Sequence, residues 1–310
     1  MSAPAGPRMQ PGREPAKSAR ATGSRKARAD GGADTLADAI VSPLAIVSGG
    51  SSGIGLACAA QLAARGYRVA LLARDPARLA DAAAAIRRDH PAAQVVCHPL
   101  DVRDAGACAE VVDTLVGRHG APAWLINSAG IAEPGLFLDQ PLAAHEAQLA
   151  TNYLGSLYLS HAAARHMAAA GTGRLVFVSS GAGLFGIYGY SAYAPSKFAV
   201  RGLAEVLRVE LAPLGIGVTV AYPPDTRTPQ LEAERRTKPE VARRLAGESG
   251  EWEADAVARR IIAGALAGRF AVAPGLPTAF VNLFHSLIAP LLRARQQQLI
   301  RAIGSGRPGD

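Results

Sequence analysis

The sequence has few cysteines and few aromatic residues. Its 310 residues include 3 cysteines, Cys58, Cys97 and Cys108, an odd number without CxxC spacing. This argues against a disulfide scaffold and predicts reduced thiols in a cytosolic protein. Aromatic residues make up 5% of the chain and hydrophobic residues 49%, so we expect small side chains from helices to pack on a sheet. His, Cys and Asp residues show no metal-ligand spacing, and we predict no metal site.

An apolar segment as long as a membrane span is also lacking near the C-terminus. Residues 276–292 ("LPTAFVNLFHSLIAPLL") fall short of the ~20 residues that a spanning helix normally needs, and they include Pro277 and Pro290. We predict that 276–310 forms a helix on a membrane surface or at a lipid entrance. A helix that only covers the core is the alternative, and a true span is a third, weaker one.

Positive charge is present but unevenly placed. The net charge is +8, and residues 1–34 carry seven basic and three acidic residues, or +4 of that total. No apolar core of a secretory signal peptide occurs there. We predict a disordered basic tail over 1–41, with attachment to an acidic membrane surface as the alternative. Aromatic residues do not interleave with the basic ones, which argues against nucleic acid as a partner.

Apolar segments of strand length alternate with helical patterns from residue 43 onward. This alternation predicts an α/β fold of the Rossmann type: a doubly wound parallel sheet with helices on both faces, in a single domain over 42–275. Such folds bind ligands at the carboxyl ends of their strands. The predicted strands are 43–48, 67–73, 93–100, 123–127, 173–179 and 216–222, and the predicted helices are 53–66, 75–89, 104–120, 142–170 and 192–215.

A glycine-rich turn joins the first predicted strand to the first helix. "VSGGSSGIG" places Gly49, Gly53 and Gly55 at GxxxGxG spacing. Glycines permit a tight turn and let backbone N–H groups approach a pyrophosphate at a helix N-terminus. Glycine turns often serve packing alone, but the position between a strand and a helix favours a dinucleotide site. The predicted cofactor contacts of this turn are Gly49, Ser51, Ser52, Gly53, Ile54 and Gly55.

The end of the second strand indicates which dinucleotide is used. Arg74 follows the strand and Arg78 lies one helical turn later, and two guanidinium groups suit the 2′-phosphate of NADP(H). Asp75 is the rival, as a ribose ligand for NAD, but it also fits the N-cap of the next helix. Asp101 and Asn127, which end the third and fourth strands, are further cofactor candidates; ordinary turns are their alternative explanation.

A tyrosine and a lysine stand four residues apart at the start of a predicted helix. Tyr193 and Lys197, in "SAYAPSK", therefore share one helix face. A free tyrosine has a pKa near ~10 and is a poor proton donor or base at neutral pH. The nearby ammonium, together with an oxidised nicotinamide, is expected to lower this pKa. Tyr193 would then protonate an alkoxide oxygen as hydride reaches a carbonyl carbon.

The ordered motifs "SGGSSGIG", "NSAG", "TNYLG", "VSS" and "YAPSK" resemble those of the short-chain dehydrogenase/reductase family over roughly 42–275. The resemblance implies an NADPH-dependent oxidoreductase that forms homo-oligomers through its long helices. It implies that Ser180 polarises the substrate carbonyl, with Ser179 as the neighbouring alternative. It also implies that Lys197 binds the nicotinamide ribose and that Asn152 holds a water in a proton relay.

The segment after the sixth strand departs from the usual family pattern. In "VAYPPDTRTPQLEAERRTKPE", Pro224 replaces a glycine, and either Thr226 or Thr228 is left to contact the nicotinamide amide. This segment, with "FGIYGYSAYAPSK", resembles members of the family that reduce long-chain 2-amino ketones. Asp225 is our candidate partner for the substrate ammonium, and a turn-capping role is its alternative.

An apolar stretch between the serine and the tyrosine suits an acyl chain. The expected slot comprises Leu184, Phe185, Ile187 and Tyr188. Two other functions stay open at this point. One is a reductase of another apolar ketone, such as a 3-oxoacyl thioester or a steroid, and the other is a non-catalytic nucleotide-binding scaffold. The lipid interpretation places the protein in the cytoplasm, peripheral to the membrane.

Overall fold

A computed structural model describes residues 42–247 and 250–303. The predicted basic tail at 1–41 lies outside the described residues. The described part of the chain belongs to one compact unit. Within it, a sheet of seven parallel strands confirms the predicted α/β fold.

The strand order of this sheet creates a crevice at its centre. The order is β3-β2-β1-β4-β5-β6-β9, so the chain reverses direction across the sheet between β1 and β4. Doubly wound sheets bind ligands at such a switch point. The strands are β1 (Leu44–Ser48), β2 (Arg68–Ala73), β3 (Val95–Pro99), β4 (Pro122–Asn127), β5 (Gly173–Val178), β6 (Ile216–Ala221) and β9 (Ala271–Val272).

Two hydrophobic cores cover the faces of the sheet, since successive strand residues point to opposite sides. Leu44 and Ile46 belong to one core, whereas Ala45 and Val47 belong to the other. The first core packs against α3 (Ala105–His119), α5 (Gly155–Ala170) and α6 (Tyr193–Leu211). The second packs against α1 (Gly53–Ala63), α2 (Pro76–Asp89) and α9 (Ala254–Leu266). Each strand therefore places its carboxyl end between two helical layers.

Local sequence signals explain where several helices begin. Asp75 caps α2 by accepting hydrogen bonds from the backbone of Ala77 and Arg78, and Pro76 occupies the first helical position as predicted. Asp104 caps α3 in the same way. The residues after α1 turn back through Gly66, whose positive φ of 82° suits the end of a helix.

The helix predicted over 142–170 is not a regular α-helix. It consists of α4 (Leu142–Leu149), a π-helical turn (Ala150–Leu154) and α5. A hydrophobic pattern does not reveal such a turn, because one wider turn hardly changes which face is apolar. π-helical turns often mark functional sites, and this one carries Asn152.

The elements after β6 are short, and the sequence patterns did not predict them individually. They are β7 (Thr226–Arg227), α7 (Pro229–Glu234), α8 (Glu240–Gly247) and β8 (Trp252–Glu253), where β7 and β8 form a two-stranded sheet. The chain then forms α9 and β9.

The last described element is α10 (Leu276–Ile303), which begins at the boundary predicted for the C-terminal segment. Within the described residues, no helix combines the length and the apolar character that crossing a membrane requires. All three cysteines are free, as predicted.

Candidate active site

A cavity of about 810 Å³ opens at the carboxyl ends of the central strands. We call it the central cavity. Residues after β1, β2, β4, β5 and β6 line it, together with α7, α8 and part of α10. It therefore meets the strand switch point on one side and the late, short elements on the other.

The glycine-rich turn forms the first part of the cavity wall. Gly49 has a φ of 67°, and a Cβ there would lie 2.7 Å from the backbone nitrogen of Ala129. Ser51, Ser52, Gly53 and Ile54 line the cavity with Gly49, as expected for cofactor contacts. Gly55 does not line it: a Cβ at Gly55 would overlap the carbonyl oxygen of Gly49. Its place is inside the turn, so its contribution is close packing.

The hydroxyl of Ser48 ties this turn to the end of β4. Its Oγ accepts hydrogen bonds from the backbone N–H groups of Ser128 (3.2 Å) and Ala129 (3.3 Å). The sequence analysis did not identify this residue, because a serine at the end of a buried strand carries no signal of its own. The contact fixes the two loops that face each other across the switch point.

The end of β2 presents two arginines to the cavity. Arg74 and Arg78 are exposed and line it, whereas the carboxylate of Asp75 accepts the N–H groups of Ala77 (2.9 Å) and Arg78 (3.2 Å). Asp75 therefore acts as a helix cap. The side chain next to the ribose site is positively charged, which favours a 2′-phosphate.

The polar residues at the ends of β3 and β4 differ in their access to the cavity. Asp101 lines the cavity, and hydrogen bonds from Arg103 lower the pKa of its carboxyl group. Asn127 is buried and donates to Ser160 Oγ at 2.9 Å, while its Oδ1 finds no protein partner among the described residues. Asn127 does not line the cavity. The loop that follows it, including Ala129 and Gly130, does.

Tyr193 begins α6 and is buried at the cavity wall, 7% exposed. Burial raises the pKa of its phenol, and the carboxylate of Glu234 raises it further, while hydrogen bonds with Ser180 and Gln230 lower it. The sequence predicts a lower pKa when the ammonium of Lys197 acts together with an oxidised nicotinamide, and that stays a prediction. In the protein by itself desolvation dominates and the pKa is raised. The result is a neutral phenol that can donate a proton.

Ser180 and Ser179 play different parts. The Ser180 hydroxyl accepts the Ala182 N–H at 3.2 Å and lowers the pKa of the Tyr193 phenol. Ser179 Oγ instead donates to the backbone carbonyl of Lys197 at 3.1 Å. Ser180 is thus the serine that stands beside the phenol, in agreement with the choice made from the sequence.

Lys197 lies one turn further along α6 and is 6% exposed. Its Nζ donates to the carbonyl oxygen of Val178 at 3.0 Å and lies 5.5 Å from the ring centroid of Tyr193. Burial lowers the pKa of the ammonium to about 8, and Glu234 acts in the opposite direction. The lysine therefore carries its charge at neutral pH but gives it up more readily than a free lysine.

The π-helical turn holds Asn152 against the loop after β4. Asn152 Oδ1 accepts the Ile131 N–H at 2.8 Å, and its Nδ2 donates to the Ile131 carbonyl (3.0 Å) and Ser196 Oγ (2.9 Å). A Cβ at Gly130 would lie 3.2 Å from Asn152 Oδ1 and 3.5 Å from Lys197 Nζ. Because Gly130 lacks a Cβ, the asparagine and the lysine both reach the same small space. The water relay itself stays a prediction.

Three charged residues that follow β6 form the opposite wall. Asp225 Oδ2 pairs with Lys238 Nζ at 2.9 Å, and Lys238 is buried. Glu234 Oε2 accepts from the Tyr190 hydroxyl at 3.0 Å, and its Oε1 accepts from Gln230 Nε2 at 3.1 Å. All five residues line the central cavity. Of these, the sequence analysis identified only Asp225; a carboxylate on a charged helix such as "QLEAERR" looks like a solvated surface residue.

The two threonine candidates both line the cavity but differ in their contacts. Thr226 Oγ1 donates to the carbonyl of Pro224 at 2.8 Å. Thr228 caps α7 through the Leu231 N–H, and its methyl group lies 2.8 Å from the position that a Cβ on Gly53 would take. Thr228 is therefore the threonine that packs on the glycine-rich turn.

The apolar slot is built from two distant segments of the chain. Leu184, Phe185 and Ile187 line the cavity, whereas Tyr188 does not. The Tyr188 N–H instead donates to Gln296 Oε1 at 2.8 Å, and Gln296 Nε2 donates to the Gly186 carbonyl at 3.0 Å. Helix α10 is thus fastened across the segment that precedes the tyrosine. Among the described residues, no cluster of three or more His, Cys, Asp or Glu side chains is arranged to hold a metal ion.

Comparisons with known proteins agree with this architecture. Residues 43–239 match the family described as short chain dehydrogenase. The chain is 39% identical to 3-ketodihydrosphingosine reductase of Bos taurus, over 73% of this chain and 69% of the relative. It is 38% identical to 3-dehydrosphinganine reductase of Danio rerio, with the same two shares covered.

Solved structures resemble the fold at lower identity. Levodione reductase is 27% identical with a TM-score of 0.70, covering 75% of this chain and 96% of that protein. A short-chain dehydrogenase from Sphingobium yanoikuyae in complex with NADPH is 27% identical with a TM-score of 0.68, covering 86% and 99%.

Proposed function

The chain belongs to the short-chain dehydrogenase family, and on that basis we propose that it is an NADPH-dependent 3-ketodihydrosphingosine (3-dehydrosphinganine) reductase. It reduces the 3-keto group of this long-chain amino ketone to the alcohol of sphinganine, a step of sphingolipid biosynthesis. One observation carries the proposal. The half-buried Ser180 and the buried Tyr193 and Lys197 share a single cavity with an apolar wall and with acidic side chains.

The first wall of the cavity fits NADPH. Gly49, Ser51, Ser52, Gly53 and Ile54 line it at the N-terminus of α1, and Arg74 and Arg78 stand where a 2′-phosphate needs cations. When bound, the dinucleotide supplies the hydride. The NADPH bound by the Sphingobium yanoikuyae relative supports this choice of cofactor.

The residues of the chain handle the proton. The Ser180 hydroxyl donates a hydrogen bond to the substrate carbonyl oxygen and polarises it. Tyr193, kept neutral by burial, donates its phenolic proton to the same oxygen as the carbon is reduced. The charge of Lys197 stabilises the phenolate left behind, and the space beside Asn152 and Gly130 is where we place the water that restores the proton.

The test is NADPH oxidation by the purified protein with 3-ketodihydrosphingosine in detergent micelles, set against a 3-oxoacyl thioester and a steroid ketone. We expect turnover of the amino ketone to exceed that of the others, and NADPH to be preferred over NADH. An Arg74→Ala/Arg78→Ala variant should lose the preference for NADPH while retaining activity with NADH. If the thioester or the steroid were the better substrate, the amino-ketone assignment would be wrong; without ketone reduction of any kind, the scaffold alternative would stand.

We propose further that α10 attaches the protein to the cytoplasmic face of a membrane. Leu283, Leu287 and Leu291 are 71%, 75% and 70% exposed and lie four residues apart on one helix face. The next residue, Leu292, lines the central cavity. The helix thus joins an exposed apolar stripe to the wall of the lipid slot, which suits the delivery of a lipid substrate from a bilayer.

This attachment predicts co-sedimentation with vesicles that contain anionic phospholipid. Replacing the three leucines with serine should abolish it, whereas Leu266→Ser, an exposed leucine at the end of α9, should leave it intact. Equal sedimentation of both variants would contradict the proposal.

A homo-oligomer is the third part of the proposal. The outer side of α6 exposes Phe198, Val206 and Val209, and exposed apolar side chains on a central helix favour an interface. Sedimentation velocity should give more than one copy for the wild type and a monomer for Val206→Asp/Val209→Asp. A monomeric wild type would contradict it.

A further inference from the structure

We propose that Glu234 recognises the ammonium group of the substrate, and that this contact makes the enzyme select 2-amino ketones. The inference rests on the proposed function and names the residue that gives the site its substrate class. It replaces Asp225, which the sequence alone suggested for this role.

The Glu234 carboxylate ends α7 and is 8% exposed at the cavity wall. Both of its hydrogen-bond donors are neutral: the Tyr190 hydroxyl at 3.0 Å and the Gln230 amide at 3.1 Å. In the described part of the chain, the ion pairs do not include Glu234. A buried carboxylate that has hydrogen bonds but no cation is ready to bind one.

Asp225, in contrast, already forms an ion pair. Its Oδ2 lies 2.9 Å from Lys238 Nζ, and Lys238 is 5% exposed. A substrate ammonium at Asp225 would have to compete with this lysine. The chain already pairs Asp225 with a lysine, whereas the ammonium groups of Lys238 and Lys197 act on Glu234 only from beyond ion-pair distance.

The position of Glu234 suits the chemistry of the substrate. Gln230 donates to Glu234 Oε1 at 3.1 Å and also lowers the pKa of the Tyr193 phenol, and the rings of Tyr190 and Tyr193 are 5.7 Å apart. In a 2-amino-3-ketone the amine stands on the carbon next to the carbonyl carbon. When the carbonyl oxygen meets Tyr193, the ammonium must therefore lie within a few ångströms of it. Of the two carboxylates of the second wall, Glu234 has the larger electrostatic effect on the Tyr193 phenol.

Burial explains why this contact selects among ketones. Desolvation raises the pKa of the Glu234 carboxyl, so its charged form is costly until a cation arrives. A substrate ammonium would stabilise the charged carboxylate, whereas a thioester or a plain ketone leaves it without an ion-pair partner. Sites that bury a polar group for one substrate reject analogues that cannot pair with it.

The experiment compares two ketones that differ only in the amine: the long-chain 2-amino-3-ketone and the 3-ketone of the same chain length. For each, kcat/KM is measured with NADPH in identical micelles, for the wild type, Glu234→Gln and Asp225→Asn. Glu232→Gln is the matched control, since Glu232 lies on the same helix and pairs with Arg235 at the surface. Thermal unfolding and NADPH affinity report whether each variant is folded.

We expect Glu234→Gln to lower kcat/KM for the amino ketone by about 10- to 100-fold, the effect of losing a hydrogen bond to a charged group. The ratio between the amino ketone and the plain ketone should fall by a similar factor. Glu232→Gln should change neither value. Asp225→Asn should change the ratio less than Glu234→Gln does. Should Glu234→Gln not fold, Glu234→Asp tests the same ratio with the charge retained at shorter reach, and a partial fall is expected.

Two outcomes would overturn the role of Glu234. An equal loss on both ketones would mean that it only supports the wall, and a collapse of the ratio in Asp225→Asn alone would return recognition to Asp225. Failure of the proposed function looks different. There the wild type itself shows no preference for the amino ketone, whereas failure of the Glu234 role leaves that preference in the wild type and unchanged in Glu234→Gln.

Discussion

The two walls of the central cavity are built in different ways. The first wall, over residues 44–197, rises from the carboxyl ends of neighbouring strands, and buried side chains are held there by backbone groups, as Lys197 is by Val178. The second wall consists of the short elements over 222–247 and of part of the long helix α10, with side-chain pairs such as Asp225–Lys238 between its residues. The first wall carries Ser180, Tyr193, Lys197 and part of the apolar slot, and we propose that the second wall recognises the amine of the substrate.

Loss of the proton donor in the first wall should reduce activity most. For Tyr193→Phe we expect kcat to fall by about 10²- to 10⁴-fold, the usual contribution of a positioned general acid. Affinity for NADPH, measured by fluorescence titration, should change little, because the phenyl ring keeps its packing. Tyr67→Phe, in a tyrosine that packs edge-on against Trp124, is the control. A Tyr193→Phe enzyme with near wild-type kcat would place the acid elsewhere.

The charge of Lys197 should set the alkaline limit of activity. Its pKa is lowered to about 8 by burial, so the ammonium is present below that pH and is lost above it. Burial raises the pKa of Tyr193, so the phenol stays protonated across the same range. We therefore expect kcat/KM to decline by about tenfold per pH unit above the lysine pKa. The measurement is a pH profile with saturating NADPH.

Only one result of that profile contradicts the assignment: activity that stays flat well past pH 8. In that case the charge of Lys197 is either not required or better stabilised than its burial implies. The profile thus reports on the first wall without any change to the second.

Loss of a hydrogen-bonded contact in the second wall should have the smallest effect on activity. Gln296→Ala removes the two hydrogen bonds that fasten α10 to Gly186 and Tyr188. We expect a loss of about 1–2 kcal/mol in the free energy of unfolding, together with a several-fold rise in KM for the lipid and little change in kcat. Denaturant unfolding and steady-state kinetics measure these effects. Gln297→Ala, on the exposed side of α10, is the control and should match the wild type.

The difference between the walls also explains what could be predicted from the sequence. Strand and helix patterns predicted the sheet, and contiguous motifs predicted the glycine-rich turn, Arg74 and the Ser180–Tyr193–Lys197 set. These features depend on residues close in sequence, or on strand ends that the topology brings together. The capping role of Asp75 also depends on residues close in sequence, because its side chain accepts hydrogen bonds from the backbone within the next three residues.

Predictions that depend on the three-dimensional surroundings of a residue were less successful. The π-helical turn at Asn152 is hidden in an amphipathic pattern, and Asn127 and Gly55 lie behind the cavity wall rather than on it. Burial raises the pKa of Tyr193 in the protein by itself, and burial is a property of the whole fold.

By itself, the sequence determined the fold, and it predicted the place of the dinucleotide and the chemistry of proton transfer, because each is encoded in short motifs at the ends of periodic segments. The tertiary structure alone decided which carboxylate lacks an ion-pair partner. Asp225 and Glu234 are both acidic residues of one charged segment, yet a buried lysine neutralises the first and only neutral donors reach the second. The physical reason is that the availability of a charge depends on its neighbours in space, and residues from β6 to α10 become neighbours only when the chain folds.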